Sequence, residues 1–185
     1  YLSGGPYAGR PAYDDVIQGQ SGSADLMARL VGEPRYLPTI MADKTCALVA
    51  AYAAMAAVFE RERSGRGQFV EIPMFETMVA YNLTEHLFGH GFDPPEGPMG
   101  YTRVLAPWRR PYETRDSYIC MLAYTDIQWH RFWHEVGRPE LAEDPRFATL
   151  ADRSDNIEEL YRIAGECVAD RTTAEWIDTL GRLEI

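Results

Sequence analysis

Asp43 lies at the mouth of the longest helical pattern in the chain, within PTIMADKTCALVAAYAAMAAVFERERSGRGQFVEIPMFETM, Pro38 to Met78. Unpaired N–H groups and the positive end of the helix dipole hold a carboxylate there in its ionised form. An ionised carboxylate can attack an activated acyl group and carry it as a covalent intermediate. The same residue type in the same place is also one of the commonest helix caps. Spacing alone leaves both readings open.

Other residues with chemical potential have simpler explanations. His86 and His90 are four apart, as are His130 and His134, which is a metal-ligand spacing. Neither pair has a third ligand at a telling distance, so no metal is expected. Packing near a linker explains the first pair, and a solvated face beside the core residues Trp129 and Trp133 explains the second. Ser64–Gln68 (SGRGQ) has the composition of a phosphate loop, but it closes a helix where a phosphate cradle would open one. Ser3, Ser21 and Ser23 have no identifiable histidine partner. Cys46, Cys120 and Cys167 are odd in number and widely spaced. They read as free, buried thiols of a reducing, cytoplasmic compartment.

Composition narrows the partners. The 185 residues carry 18 basic and 28 acidic side chains, a net charge of −10. Such a surface repels nucleic acid and anionic membranes, so neither is expected as a partner. A few arginines and helix ends could still hold an anionic ligand. No apolar run is expected to span a bilayer. Tyr52 and the charges Glu60 to Arg63 mark the Ala-rich stretch as a soluble core helix.

The elements that must position Asp43 can be read around it. Tyr13 to Leu30 predicts a short strand or helical start, a glycine break and a helical turn. Ala42 to Arg63 is a helix rich in alanine, the best helix former, with Gly65 and Gly67 as its C-cap and turn. Gln68 to Met74 alternates as a strand, confined to an edge by Pro73. Phe75 to Gly89 is a second helix, and residues 91–100 form a linker. Beyond it, Arg109 to Glu113 and Tyr118 to Leu122 predict two strands. Asp126 is placed to cap a helix through Val136, with helices from Asn156 to Ala169 and from Thr173 to Leu180 after it.

The chain resembles the family III CoA-transferases (the CaiB/BaiF family) through nearly its whole length. GPYAGRPAYDDVIQGQSG, the Asp43 helix, PYETRDSYICMLAYTDIQWHRFWHEVGRPELAEDPRF and DRTTAEWIDTL carry the likeness, and ERERSGRGQFVEIPM is its most specific run. The resemblance implies an α/β fold that is the middle portion of a protein about twice this length. Residues 1–74 would be part of a Rossmann-like large domain, 75–100 a helix and linker, and 101–185 a small α+β domain. It also implies transfer of coenzyme A from an acyl-CoA to a carboxylic acid. Asp43 would be the nucleophile, passing through mixed anhydrides and an aspartyl-CoA thioester. Coenzyme A would bind as a substrate, with Arg10 and Tyr13 as candidate contacts, in an interlocked homodimer.

Related acyl-CoA racemases pair this aspartate with a histidine in the segment matching RPAYDD. Tyr13 stands where that histidine would align, and tyrosine is a poor base at neutral pH, which favours transfer over epimerisation. A racemase and an inactive folded fragment are the alternatives. The glycine-rich lid of some relatives would fall at Gly97–Tyr101, which lacks the glycine run.

Overall fold

A computed structural model describes all residues, 1–185. The chain divides into two units, Tyr1–Tyr101 and Thr102–Ile185.

The first unit is built from α1 (Asp14–Gln20), α2 (Ser23–Val31), α3 (Met41–Ser64) and α4 (Met74–His86), with a 3-10 turn at Phe88–Gly91. The expected glycine break falls at Gly22, whose φ of 92° suits a residue without a Cβ. Helix therefore lies on both sides of it, and no strand forms there. Along α3 the alanine run sustains 24 residues until Gly65 turns left-handed and donates its N–H to Arg61 O.

The strand expected at Gln68–Met74 is not formed. The segment is irregular, and a strand needs a ladder partner, which residues 1–101 do not supply. Pro73 instead precedes the first turn of α4, with the extended backbone usual for an N-cap. This unit is thus helical here, without the parallel strands of a Rossmann-like sheet.

Ile17, Ala42, Cys46 and Met78 form the unit's core, joined by Met41, Met74 and Phe75. Asn82 is buried in α4 and donates to Ser21 O (2.8 Å) and Ser23 Oγ (3.0 Å), tying that helix to the α1–α2 break. His86 is buried too, and its Nδ1 accepts the Tyr101 N–H at 3.2 Å. The segment after α4 folds back so closely that a Cβ on Gly89 would lie 2.8 Å from Gly97 Cα.

Helix α3 differs from the sequence expectation in one respect. Its most apolar 18 residues have a mean hydropathy of 1.4. At 1.5 Å per residue the helix runs about 36 Å. It is therefore long and apolar enough to cross a membrane. Only Ala42 and Cys46 are buried in it, while Leu48, Tyr52, Met55, Val58 and Phe59 are exposed.

The second unit is α+β. Its two strands, β1 (Tyr112–Glu113) and β2 (Tyr118–Ile119), pair antiparallel and are shorter than expected. The helices are α5 (Thr102–Leu105), α6 (Asp126–Glu135), α7 (Leu150–Asp155), α8 (Ile157–Val168) and α9 (Thr173–Leu183). Trp129, Phe132, Trp133, Phe147, Leu160, Val168 and Trp176 fill the core. Thr125, and not Asp126, caps α6 through a reciprocal pair with Gln128. Asp126 sits one residue later and pairs with the buried Arg153. His130 and His134 lie on the exposed side of α6, ring centroids 4.4 Å apart. Of the cysteines only Cys46 is buried; Cys120 is exposed and Cys167 partly so, which corrects the expectation of three buried thiols.

Candidate active site

Helix α3 starts at Met41 with no side-chain cap from Ile40. Ala42 and Cys46 lie one turn apart on the inward face, against Ile17 and Met78. Asp43 follows Ala42 by about 100° around the axis. That step turns its carboxylate to the surface, where it takes no hydrogen bond from the rest of the chain.

The backbone under Asp43 is held much more tightly than its side chain. Asp43 N–H donates to Asp14 Oδ1 at 3.0 Å, so a residue of α1 caps α3. Asp14 Oδ2 accepts from Gln18 Nε2 at 2.6 Å, and the same nitrogen reaches Thr39 O at 3.3 Å. Gln18 Oε1 accepts the Leu37 N–H at 2.9 Å. Asp14 is 8% exposed and Gln18 is fully buried. Two side chains of one short helix thereby fix three backbone points between Leu37 and Asp43. The turn is tightened further by Met41 N–H donating to Thr39 O at 2.8 Å.

Asp14 and Gln18 carry one signal in the sequence. They stand at i and i+4, where Asp and Gln side chains meet on a helix. Their distant partners are backbone groups, which leave no mark on residue type.

Tyr13 immediately precedes α1, 73% exposed, and adjoins the Asp14 that holds Asp43. Arg10 lies in the preceding turn, its N–H donating to Tyr7 O and its guanidinium carbon 4.9 Å from the Tyr7 ring centre. Both are exposed and so sterically open to a ligand. Cys46, one turn past the start of α3, has a thiol pushed up by burial and then by the carboxylates of Asp43 and Asp14. No cluster of three or more His, Cys, Asp or Glu side chains forms that could hold a metal ion.

The profile of CoA-transferase family III matches residues 1–185, and the chain belongs to that family. A probable fatty acyl-CoA transferase of Mycobacterium tuberculosis is 31% identical over 190 residues, covering 97% of this chain and 48% of that protein. The succinyl-CoA:glutarate CoA-transferase of Mus musculus is 27% identical, covering 96% and 41%. Among solved structures, a hypothetical protein from Mycobacterium tuberculosis superposes with a TM-score of 0.78 at 29% identity, covering 98% of this chain and 48% of its own. A CaiB/BaiF family protein from Brucella suis gives 0.70 at 26%, covering 99% and 48%. The chain spans about half the length of these relatives.

Thiolate is the reactive form of cysteine, so a raised pKa and burial both slow alkylation. Native protein treated with limiting iodoacetamide at pH 8 should be modified first at Cys120 and last at Cys46, read by peptide mass. Modification of Cys46 as early as Cys120 would contradict the buried site beneath Asp43.

Proposed function

We propose that the protein of which this chain is part transfers coenzyme A from an acyl-CoA to a carboxylic acid, with Asp43 as the covalent acceptor. The observation that supports this most is an exposed carboxylate without hydrogen-bond partners in the protein, set on a backbone held at three points. A residue serving only as a cap would turn its oxygen to its own helix amides; here that task falls to Asp14.

In the first step Asp43 attacks the thioester carbonyl and CoA thiolate leaves, giving a mixed anhydride. The thiolate attacks the Asp43 carbonyl, forming aspartyl-CoA and releasing the first acid. The incoming carboxylate attacks that thioester, making a second anhydride and freeing thiolate again. Thiolate then attacks the new acyl carbonyl, and Asp43 departs as carboxylate. No proton is gained or lost by Asp43 at any step. The route divides a difficult exchange into easier displacements. The helix dipole contributes about 0.3–1 kcal/mol toward keeping Asp43 ionised.

Arg10 and Tyr13 are assigned as contacts for CoA, a guanidinium for phosphate and an open ring beside the site. The helical first unit is taken as part of a Rossmann-like domain completed elsewhere in the protein. We extend the proposal to a homodimer, since Leu48, Tyr52, Met55, Val58 and Phe59 leave an apolar face on α3 that needs cover.

Asp43→Asn should leave folding stability within about 1 kcal/mol, the scale of a cap change, yet reduce CoA transfer below detection in an acyl-exchange assay. Substantial turnover in that variant would place the nucleophile elsewhere. Light scattering of the intact protein should give twice the chain mass across dilution, and a monomer at all concentrations would refute the dimer.

A further inference from the structure

We propose that Asp14 and Gln18 are positioning residues for the Asp43 nucleophile, a pair whose hydrogen-bond polarity sets where the attacking carboxylate stands. The inference rests on the reading of Asp43 given above.

The need for such a pair comes from Asp43 itself. Its side chain is exposed and takes no hydrogen bond from the protein. Its position therefore depends on its rotamer and on the backbone beneath. Attack on a thioester carbonyl requires approach to about 3–3.5 Å, and a misplacement of about 1 Å can cost about a hundredfold in rate. Hydrogen bonds from α1 hold that backbone from the side, at Leu37, Thr39 and Asp43.

The network has one consistent orientation. The Leu37 N–H needs an acceptor, so Gln18 must present Oε1 there. Gln18 Nε2 then faces Asp14 Oδ2 and Thr39 O and must donate to them. Asp14 consequently accepts on both oxygens, from Gln18 and from Asp43 N–H, which a carboxylate does and an amide cannot. Both side chains are buried, so a mismatched pair finds no water to satisfy it. Asp14→Asn sets two amides donor to donor or deprives Asp43 of its acceptor. Gln18→Glu sets carboxylate against carboxylate. The double exchange, Asp14→Asn with Gln18→Glu, restores the match. The new amide would donate to the new carboxylate while its oxygen accepts from Asp43 N–H. The new carboxylate, in its turn, would still accept from the Leu37 N–H. At Thr39 O, the longest of these bonds, the donor would be lost and a carboxylate oxygen would face the carbonyl, so recovery falls short of wild type.

The test uses the intact protein, wild type and the three variants. It measures steady-state CoA transfer and, in single turnover, hydroxylamine capture of the aspartyl-CoA thioester, which expels CoA thiolate and leaves Asp43 as a hydroxamate in its peptide. Each single variant should lower kcat about 10- to 100-fold, with KM for acyl-CoA within about threefold, as expected when substrate binding is untouched. Capture at Asp43 should slow by the same factor, and the double variant should recover to within about tenfold of wild type. If Asp14→Asn fails to fold, Gln18→Glu and the double variant carry the comparison. Folded variants that label Asp43 at the wild-type rate would overturn the proposal, as would a double variant no faster than the singles. A wild-type protein that never labels Asp43 would instead sink the nucleophile reading, and this inference with it.

Discussion

The helix that carries Asp43 starts without a cap of its own, and a carboxylate 29 residues upstream supplies one. Burying an aspartate is costly unless its oxygens are bonded. Asp14 meets that condition with Asp43 N–H on one oxygen and Gln18 on the other. The bond satisfies a free amide of α3 and locks α1 against it, bringing Ile17 onto Ala42 and Cys46. Met78 of α4 closes the same small core from the other side. With the amide taken by another residue, the Asp43 carboxylate is released from capping and stays open to solvent.

Local signals were legible where the chain's own neighbours decide the outcome. The alanine run and Gly65 define both ends of α3 closely, because propensity and a left-handed glycine act within a few residues. Distant partners decided the rest. Gln68–Met74 has strand alternation, yet a strand exists only beside another, and none lies in residues 1–101. At α6, Asp126 and Thr125 are both good caps by type. Thr125 takes the position because Gln128 three residues on completes the reciprocal pair, leaving Asp126 free to neutralise the buried Arg153. The site divides the same way. The place of Asp43 in the first turn of α3 is legible from its own helix, while the hold of Asp14 and Gln18 on remote backbone is not.

The two units solve stability differently. In the second, four aromatic side chains, Trp129, Phe132, Trp133 and Trp176, are buried among three capped helices. The first buries few large groups and leaves apolar side chains along the outer face of its longest helix. Such a face matches the needs of a helix covered by further protein more than those of a solvated surface. The Asp43 end of that helix is the part with the most local support.

The central claim is that Asp43 is the covalent relay between two acids, and the path of oxygen tests it directly. In the second half-reaction the acceptor's attacking oxygen becomes the bridge of the anhydride, and thiolate attack on the new acyl group leaves that oxygen on Asp43. Turnover with an acceptor labelled by oxygen-18 in its carboxylate should therefore place the label in the Asp43 side chain, read in its peptide by mass spectrometry. Label found on another carboxylate, or on none after many turnovers, would contradict the account.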